Sequence, residues 1–184
     1  ASEYEAAYRI LAPILRTSGR VGEPAYDLLL IGRALGTLGE WDLALAAFNQ
    51  AITYRPDYAE AWAFLSLAKQ QLGLDGAVEM QKALALGEDS VVVQALAAAV
   101  LEGKSQEETL AHLQAAQRLE PENPLWLVQI GRVYEADGDL VTALGFYQQA
   151  AEMAPEHVLA WKAIASLAVY HGFQVRQVGL PAAR

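Results

Sequence analysis

Residues 127–155 read LVQIGRVYEADGDLVTALGFYQQAAEMAP. Good helix formers dominate the stretch, yet glycine stands at 131 and 138, alanine at 143 and 150, aromatic residues at 134 and 147, and proline at 155. A local accident would occur once, whereas a structural unit recurs at a fixed spacing. Residues 25–56, AYDLLLIGRALGTLGEWDLALAAFNQAITYRP, lie on residues 124–155, PLWLVQIGRVYEADGDLVTALGFYQQAAEMAP, without a gap. Gly32 falls on Gly131, Leu35 on Tyr134, Gly39 on Gly138, Ala44 on Ala143, Phe48 on Tyr147, Ala51 on Ala150 and Pro56 on Pro155. Each copy has 32 residues, and two linking residues complete a period of 34. Repetition at this period marks a helical solenoid, whose units bury their apolar faces by stacking on neighbours.

The remaining chain falls into the same register. A copy from Ser90 places Leu96, Ala97, Val100, Leu113, Ala116 and Pro121, with Thr109 replacing the small residue of the second helix. A copy from Ala59 places Trp62, Leu65, Ser66 and Gly73, but only 31 residues separate Ala59 from Ser90. A shortened turn or second helix is therefore expected there, with a helix starting near Asp75 and running through Leu86. A half repeat from Val158 carries Trp161, Ile164, Ala165, Ala168 and Gly172 before the match fails. The expected organisation is an N-terminal helix of an incomplete unit within 1–23, the repeat array at 24–172, and a truncated segment at 173–184. In the first of these, Tyr4, Ala7, Tyr8, Leu11, Ile14 and Leu15 follow a helical spacing, with Ser2 and Glu5 at capping-box separation and Pro13 as a kink.

Each unit reads as two helices, about 24–38 and 40–54 in the first full copy. Gly32 and Gly131 lie inside first helices, where glycine costs about 0.5–1 kcal/mol relative to alanine. Close approach of the second helix bearing Ala44 is the expected compensation, with Phe48 filling space toward the next unit. Gly39 and Gly138 follow the last periodic residues and suit the left-handed conformation that ends a helix. Pro56, Pro121 and Pro155 stop the second helices.

The 184 residues are 54% hydrophobic and carry a net charge of −9. Such a chain can bury a core. Its acidity opposes phosphate-backbone binding, so nucleic acid is not an expected partner. Glu23, Glu40, Asp42, Asp57, Asp75, Glu88, Asp89, Glu107, Glu122, Asp139 and Glu156 instead fall at expected helix starts, where the helix dipole favours a carboxylate. No apolar run approaches the roughly 20 residues that span a bilayer, and no signal peptide or transmembrane segment is legible, so a soluble chain without membrane insertion is expected. The sequence reads as a fragment of a longer protein. Without cysteine, thiolate ligands, disulfides and cysteine nucleophiles are excluded.

Catalytic chemistry finds little support in the residues. His112, His157 and His171 stand on separate segments, no phosphate-binding glycine motif occurs, and carboxylate pairs such as Glu107 and Glu108 sit at helix starts. No enzyme activity, cofactor or metal is expected. Among the four tryptophans, Trp62 and Trp161 share the fourth place of a repeat and read as core. Trp41 and Trp126 stand outside that place, with exposure at a binding or packing surface as their alternative.

The order of small residue, aromatic, alanine and proline, together with Trp62 and Trp161 at the fourth place, resembles the tetratricopeptide repeat over about residues 25–172. The resemblance implies an all-α, right-handed superhelical solenoid of antiparallel helix pairs. It also implies a noncatalytic scaffold whose first helices line a concave groove for a peptide or helix, with contacts at the second, fifth, sixth, ninth and twelfth places. Those places hold Tyr26, Leu29, Leu30 and Arg33, then Phe64, Leu67 and Gln70, then Gln94 and Ala98. In the later copies they hold Val128, Gln129, Arg132 and Glu135, then Lys162 and Ser166. Some members grip a terminal carboxylate with lysine and asparagine at the fifth and ninth places, where this chain carries Leu29 and Arg33 and so departs from that pattern. The expected protein partner offers apolar anchors and acidic groups. Self-association through the uncapped C-terminal end is also expected, and the alternative function is a structural or regulatory array attached to an enzyme domain outside this sequence.

Overall fold

Proline at a first helical position loses no hydrogen bond, and Pro24 and Pro124 each open a helix in this way. The computed structural model describes residues 23–171, all of whose regular elements are helices. They are α1 (Pro24–Thr37), α2 (Trp41–Tyr54), α3 (Ala59–Gln71), α4 (Ala77–Leu86), α5 (Val91–Leu101), α6 (Gln106–Leu119), α7 (Pro124–Ala136), α8 (Leu140–Met153) and α9 (Val158–His171). The helix expected at 2–18 and the segment 173–184 lie outside the described residues. The chain divides into two compact units between Val100 and Leu101.

Glycine ends three first helices by one geometry. Gly39, Gly73 and Gly138 have φ of 82°, 72° and 86°, a region that side chains with a Cβ avoid. The N–H of Glu40 donates to the Leu35 carbonyl at 3.0 Å and that of Gly39 to Gly36 at 3.1 Å. Leu74 with Lys69 and Gly73 with Gln70 repeat the pair in α3, as do Asp139 with Tyr134 and Gly138 with Glu135 in α7. These bonds satisfy carbonyls that a helix end would otherwise leave open, and they turn the chain sharply into the second helix.

In the first unit, α1, α2 and α3 share a core of Leu28, Leu29, Ile31, Leu35, Ala44, Phe48, Ala51, Ala61 and Leu65. Ala63, Met80, Ala83, Val93 and Ala97 form a second cluster across α3, α4 and α5. In the second unit, α7, α8 and α9 meet through Leu127, Val128, Ala143, Tyr147, Ala150, Ala160, Ile164 and Leu167. The expected partner of the helical glycines is corrected in one respect. A Cβ on Gly32 would stand 2.4 Å from the Phe48 ring, and one on Gly131 would stand 2.4 Å from the Tyr147 ring. It is the aromatic ring itself that rests on the glycine, and this contact within the helix pair offsets the propensity cost.

The shortened copy loses its residues from the second helix. Its second helix, α4, has 10 residues against 14 in α2 and α8. The turn before it is pulled onto α3, where the buried Ser66 hydroxyl donates to the Gly76 carbonyl at 2.8 Å. A Cβ on Gly76 would lie 2.6 Å from the Ser66 carbonyl oxygen, so only glycine allows this approach. Asp75 Oδ1 accepts the Ala77 N–H at 2.9 Å, and Lys69 pairs with Glu79 at 2.7 Å across the same two helices.

The carboxylates at helix starts have mixed roles. Asp139 caps α8 by accepting from the Thr142 N–H at 3.1 Å and its hydroxyl at 2.6 Å, and these bonds hold its carboxyl below the usual range. Glu23 and Glu40 occupy cap positions without a side-chain cap bond, and Glu23 pairs with Arg55 at 3.1 Å instead. Trp62 packs against the cores of the first unit as expected, and Trp161 departs from that reading. Trp62 and Trp161 donate their indole N–H to the carbonyls of Pro56 and Pro155, each at 2.8 Å, so they brace the link between repeats. Trp161 remains 38% exposed and is not a core residue, whereas Trp126 is buried and donates to Glu120 at 3.2 Å.

Candidate functional site

One strip of α1, beside α2 and α3, carries Gly32, Arg33, Gly36 and Thr37. Two glycines leave it without bulk. Together with Trp41 and Phe48 of α2 and Phe64 and Leu67 of α3, these residues line an open cavity of about 400 Å³. The Trp41 ring lies on Gly36 so closely that a Cβ there would stand 2.8 Å from Cζ3. Phe48 and Phe64 stack at 5.5 Å between centroids, with 21° between their planes.

Arg33 is exposed at the rim of this cavity. Its guanidinium carbon lies 5.2 Å from the Phe64 ring centroid, within the range where a cation is attracted to the negative face of an aromatic ring. The ring thereby restrains a long side chain whose charged head still faces water.

Of the groove residues expected from the sequence, the structure brings Arg33, Phe64 and Leu67 together around one cavity. Tyr26, Leu30 and Gln70 are partly accessible elsewhere in the first unit. Leu29, Gln94 and Val128 are buried, which removes them from a ligand-facing set; Ala98 is buried as well. Leu29 and Val128 belong to the cores beneath the first helices, while the Gln94 amide donates to the Glu88 carbonyl at 2.8 Å. In the second unit, Gln129, Glu135 and Ser166 are partly accessible, and Arg132 and Lys162 are exposed. Gly36 and Thr37 were not among the expected site residues, and Trp41 entered only through its alternative, exposure at a binding or packing surface. Their signal was present as the pairing of Gly36 with a tryptophan five residues later, which a search confined to repeat places overlooks.

The corresponding strip of the second unit is built differently. Glu135 stands where the first unit has Gly36, and its Oε2 accepts the Tyr147 hydroxyl at 2.6 Å. Burial and then this carboxylate hold the Tyr147 phenol far above its usual range, so it remains a donor. Ala163 and Ser166 replace Phe64 and Leu67. Arg132 shares with Glu102, Lys104 and Asp137 the lining of a more polar depression of about 230 Å³. Among the described residues no group of three or more acidic or histidine side chains could hold a metal ion, and no helix is long and apolar enough to cross a membrane.

No curated protein sequence matches the chain significantly. Solved structures do resemble its fold. One, from a functional characterisation of Pseudomonas aeruginosa PilF, has a TM-score of 0.70 at 22% identity, covering 88% of this chain and 72% of its own. The thermophilic tetratricopeptide protein TTC0263 of Thermus thermophilus has a TM-score of 0.67 at 22% identity, covering 86% of each chain. YrrB, described as a tetratricopeptide protein with an unusual peptide-binding site, has a TM-score of 0.58 at 18% identity, covering 98% of this chain and 89% of its own. The tetratricopeptide repeat family matches residues 29–74 and 107–168, together more than half of the sequence. With these spans, the helix pairs and the solenoid relatives in agreement, the chain belongs to the tetratricopeptide repeat family.

Proposed function

We propose that this chain is a noncatalytic interaction scaffold that receives a peptide or helix of a protein partner on the faces of its first helices. Tetratricopeptide architecture itself implies protein partners. The observation that carries the finer reading is the open aromatic cavity between α1 and α3, since apolar pockets with a few polar groups at the rim are the usual form of a binding site. The accessible contact set is Tyr26, Leu30, Arg33, Phe64, Leu67 and Gln70 in the first unit. In the second it is Gln129, Arg132, Glu135, Lys162 and Ser166. A segment with apolar anchors and acidic groups suits these residues, because arginine holds a carboxylate bidentately while apolar contacts supply most of the affinity. The peptide-binding site named for YrrB is a property of that protein and supports the reading by likeness of fold alone.

Site-specific photo-crosslinking tests the reading. A benzophenone side chain at Leu30 or Gln129, on first helices, should capture a partner polypeptide. The same group at the exposed Asn49 or Gln148, on second helices, should not. Capture from the second helices alone would move binding to the other face. A second reading, self-association through α9, is favoured by the exposed Val158, Leu159, Trp161 and Val169. Sedimentation equilibrium checks it, and a chain that stays monomeric at high concentration contradicts it.

A further inference from the structure

Repeats related by sequence need not offer related sites, and the two arginines at the ninth place are a case in point. We infer that the cavity of the first unit is the anchor pocket of the scaffold, taking one large apolar side chain of a partner segment whose neighbouring Asp or Glu pairs with Arg33, and that the counterpart positions of the second unit, Glu135, Ala163 and Ser166, are not built to form the same pocket. This rests on the first-helix binding reading above and adds where the anchor sits and what chemistry it has.

The physical case begins with Gly36. Without a side chain at this place, Trp41 folds down onto the α1 backbone and the space above Phe48 stays open. The equivalent Glu135 instead reaches Tyr147 at 2.6 Å, occupying the same approach and placing a carboxylate where an acidic ligand would be repelled. Phe64 and Leu67 wall the first cavity, and their counterparts Ala163 and Ser166 are too small to do so. The volume of about 400 Å³ suits one aromatic or branched aliphatic side chain with its backbone at the mouth.

Charge decides the rest. Among the described residues the carboxylate-bearing ion pairs are Arg55 with Glu23 and Lys69 with Glu79. Arg33 has the Phe64 ring as its contact and, among the described residues, no carboxylate within ion-pair distance. A cation held over an aromatic ring at the rim, in a chain whose net charge is −9, selects an acidic group beside the anchor.

Selection of random peptides of about a dozen residues, displayed on phage against the full chain, tests the assignment. Enriched sequences should pair a Trp, Phe or Leu with an Asp or Glu beside it or one residue away. A synthetic copy of the most enriched peptide should bind the Phe64→Ala chain about tenfold more weakly and the Arg33→Gln chain about fivefold more weakly, with Arg132→Gln unchanged. Arg33 is exposed, so its variant keeps the test valid should Phe64→Ala lower stability. Replacing the acidic residue of the peptide by its amide should remove the sensitivity to Arg33. Peptides that lack the pair, or that bind both variants as they bind the parent, overturn the anchor pocket while first-helix crosslinks leave the broader reading standing. An empty selection overturns the inference whatever the crosslinks show. Binding that emerges only when residues 1–22 are removed, or dimerisation lost in Phe64→Ala, assigns the cavity to the chain itself and also overturns it.

Discussion

At the scale of single residues, the fold turns on places where absence of a side chain matters as much as presence. Gly32 and Phe48 were legible as a recurring pair, because the same spacing returns at Gly131 and Tyr147. That the ring lies on the glycine was not legible, since a period gives equivalence between copies but not contact within one. Phe48→Ala and Tyr147→Ala should each cost about 3–5 kcal/mol in chemical denaturation, as expected for a fully buried ring. Gly32→Ala should cost about 1–3 kcal/mol through overpacking, although alanine is the better helix former. In a Phe48→Leu background that cost should shrink or reverse, and the double-mutant cycle measures the coupling. Additive effects would show that the ring and the glycine do not share the space assigned to them.

At the scale of elements, helix types and most ends followed from glycine and proline placement, and the spacing of the copies foretold a shortened turn or second helix starting near Asp75 and ending at Leu86. The count of 31 residues left open whether the turn or the helix is shortened, and it is the helix, α4. What the spacing does not reveal is the tertiary bond from Ser66 to Gly76, which joins groups ten positions apart and leaves no periodic trace. Ser66→Ala should destabilise the first unit by about 1–3 kcal/mol, because the Gly76 carbonyl loses its buried partner. Unchanged stability would mean that this bond does not hold the turn. In α6, burial lowers the His112 imidazole below its ordinary value, and Glu108 opposes this only in part. The unfolded chain therefore takes up the proton more readily. The contribution of this group is present above about pH 6.5 and is lost as pH falls toward the folded value. His112→Gln should flatten the acid limb of the stability curve, and an unaltered limb would contradict the shift.

At the scale of the whole molecule, one unit of sequence has been used several times with different consequences. The repeat architecture was legible because burial imposes the same demands on every copy. The candidate site was legible only in part, because Arg33, Phe64 and Leu67 occupy recognised places whereas Gly36 and Trp41 act through a departure from the pattern. Leu29, Gln94 and Val128 were nominated by place and are instead buried under neighbouring helices, a matter decided by packing between elements. The claim beneath all of this is that residues 25–56 and 124–155 fold as the same helix pair, each broken at its glycine. Residue-resolved Cα chemical shifts measured by NMR test it most directly. The account predicts two helical runs in each segment, at 24–37 and 41–54 and at 124–136 and 140–153, interrupted at Gly39 and Gly138. Helical shifts running unbroken through either glycine, or strand-type shifts in either segment, would contradict it.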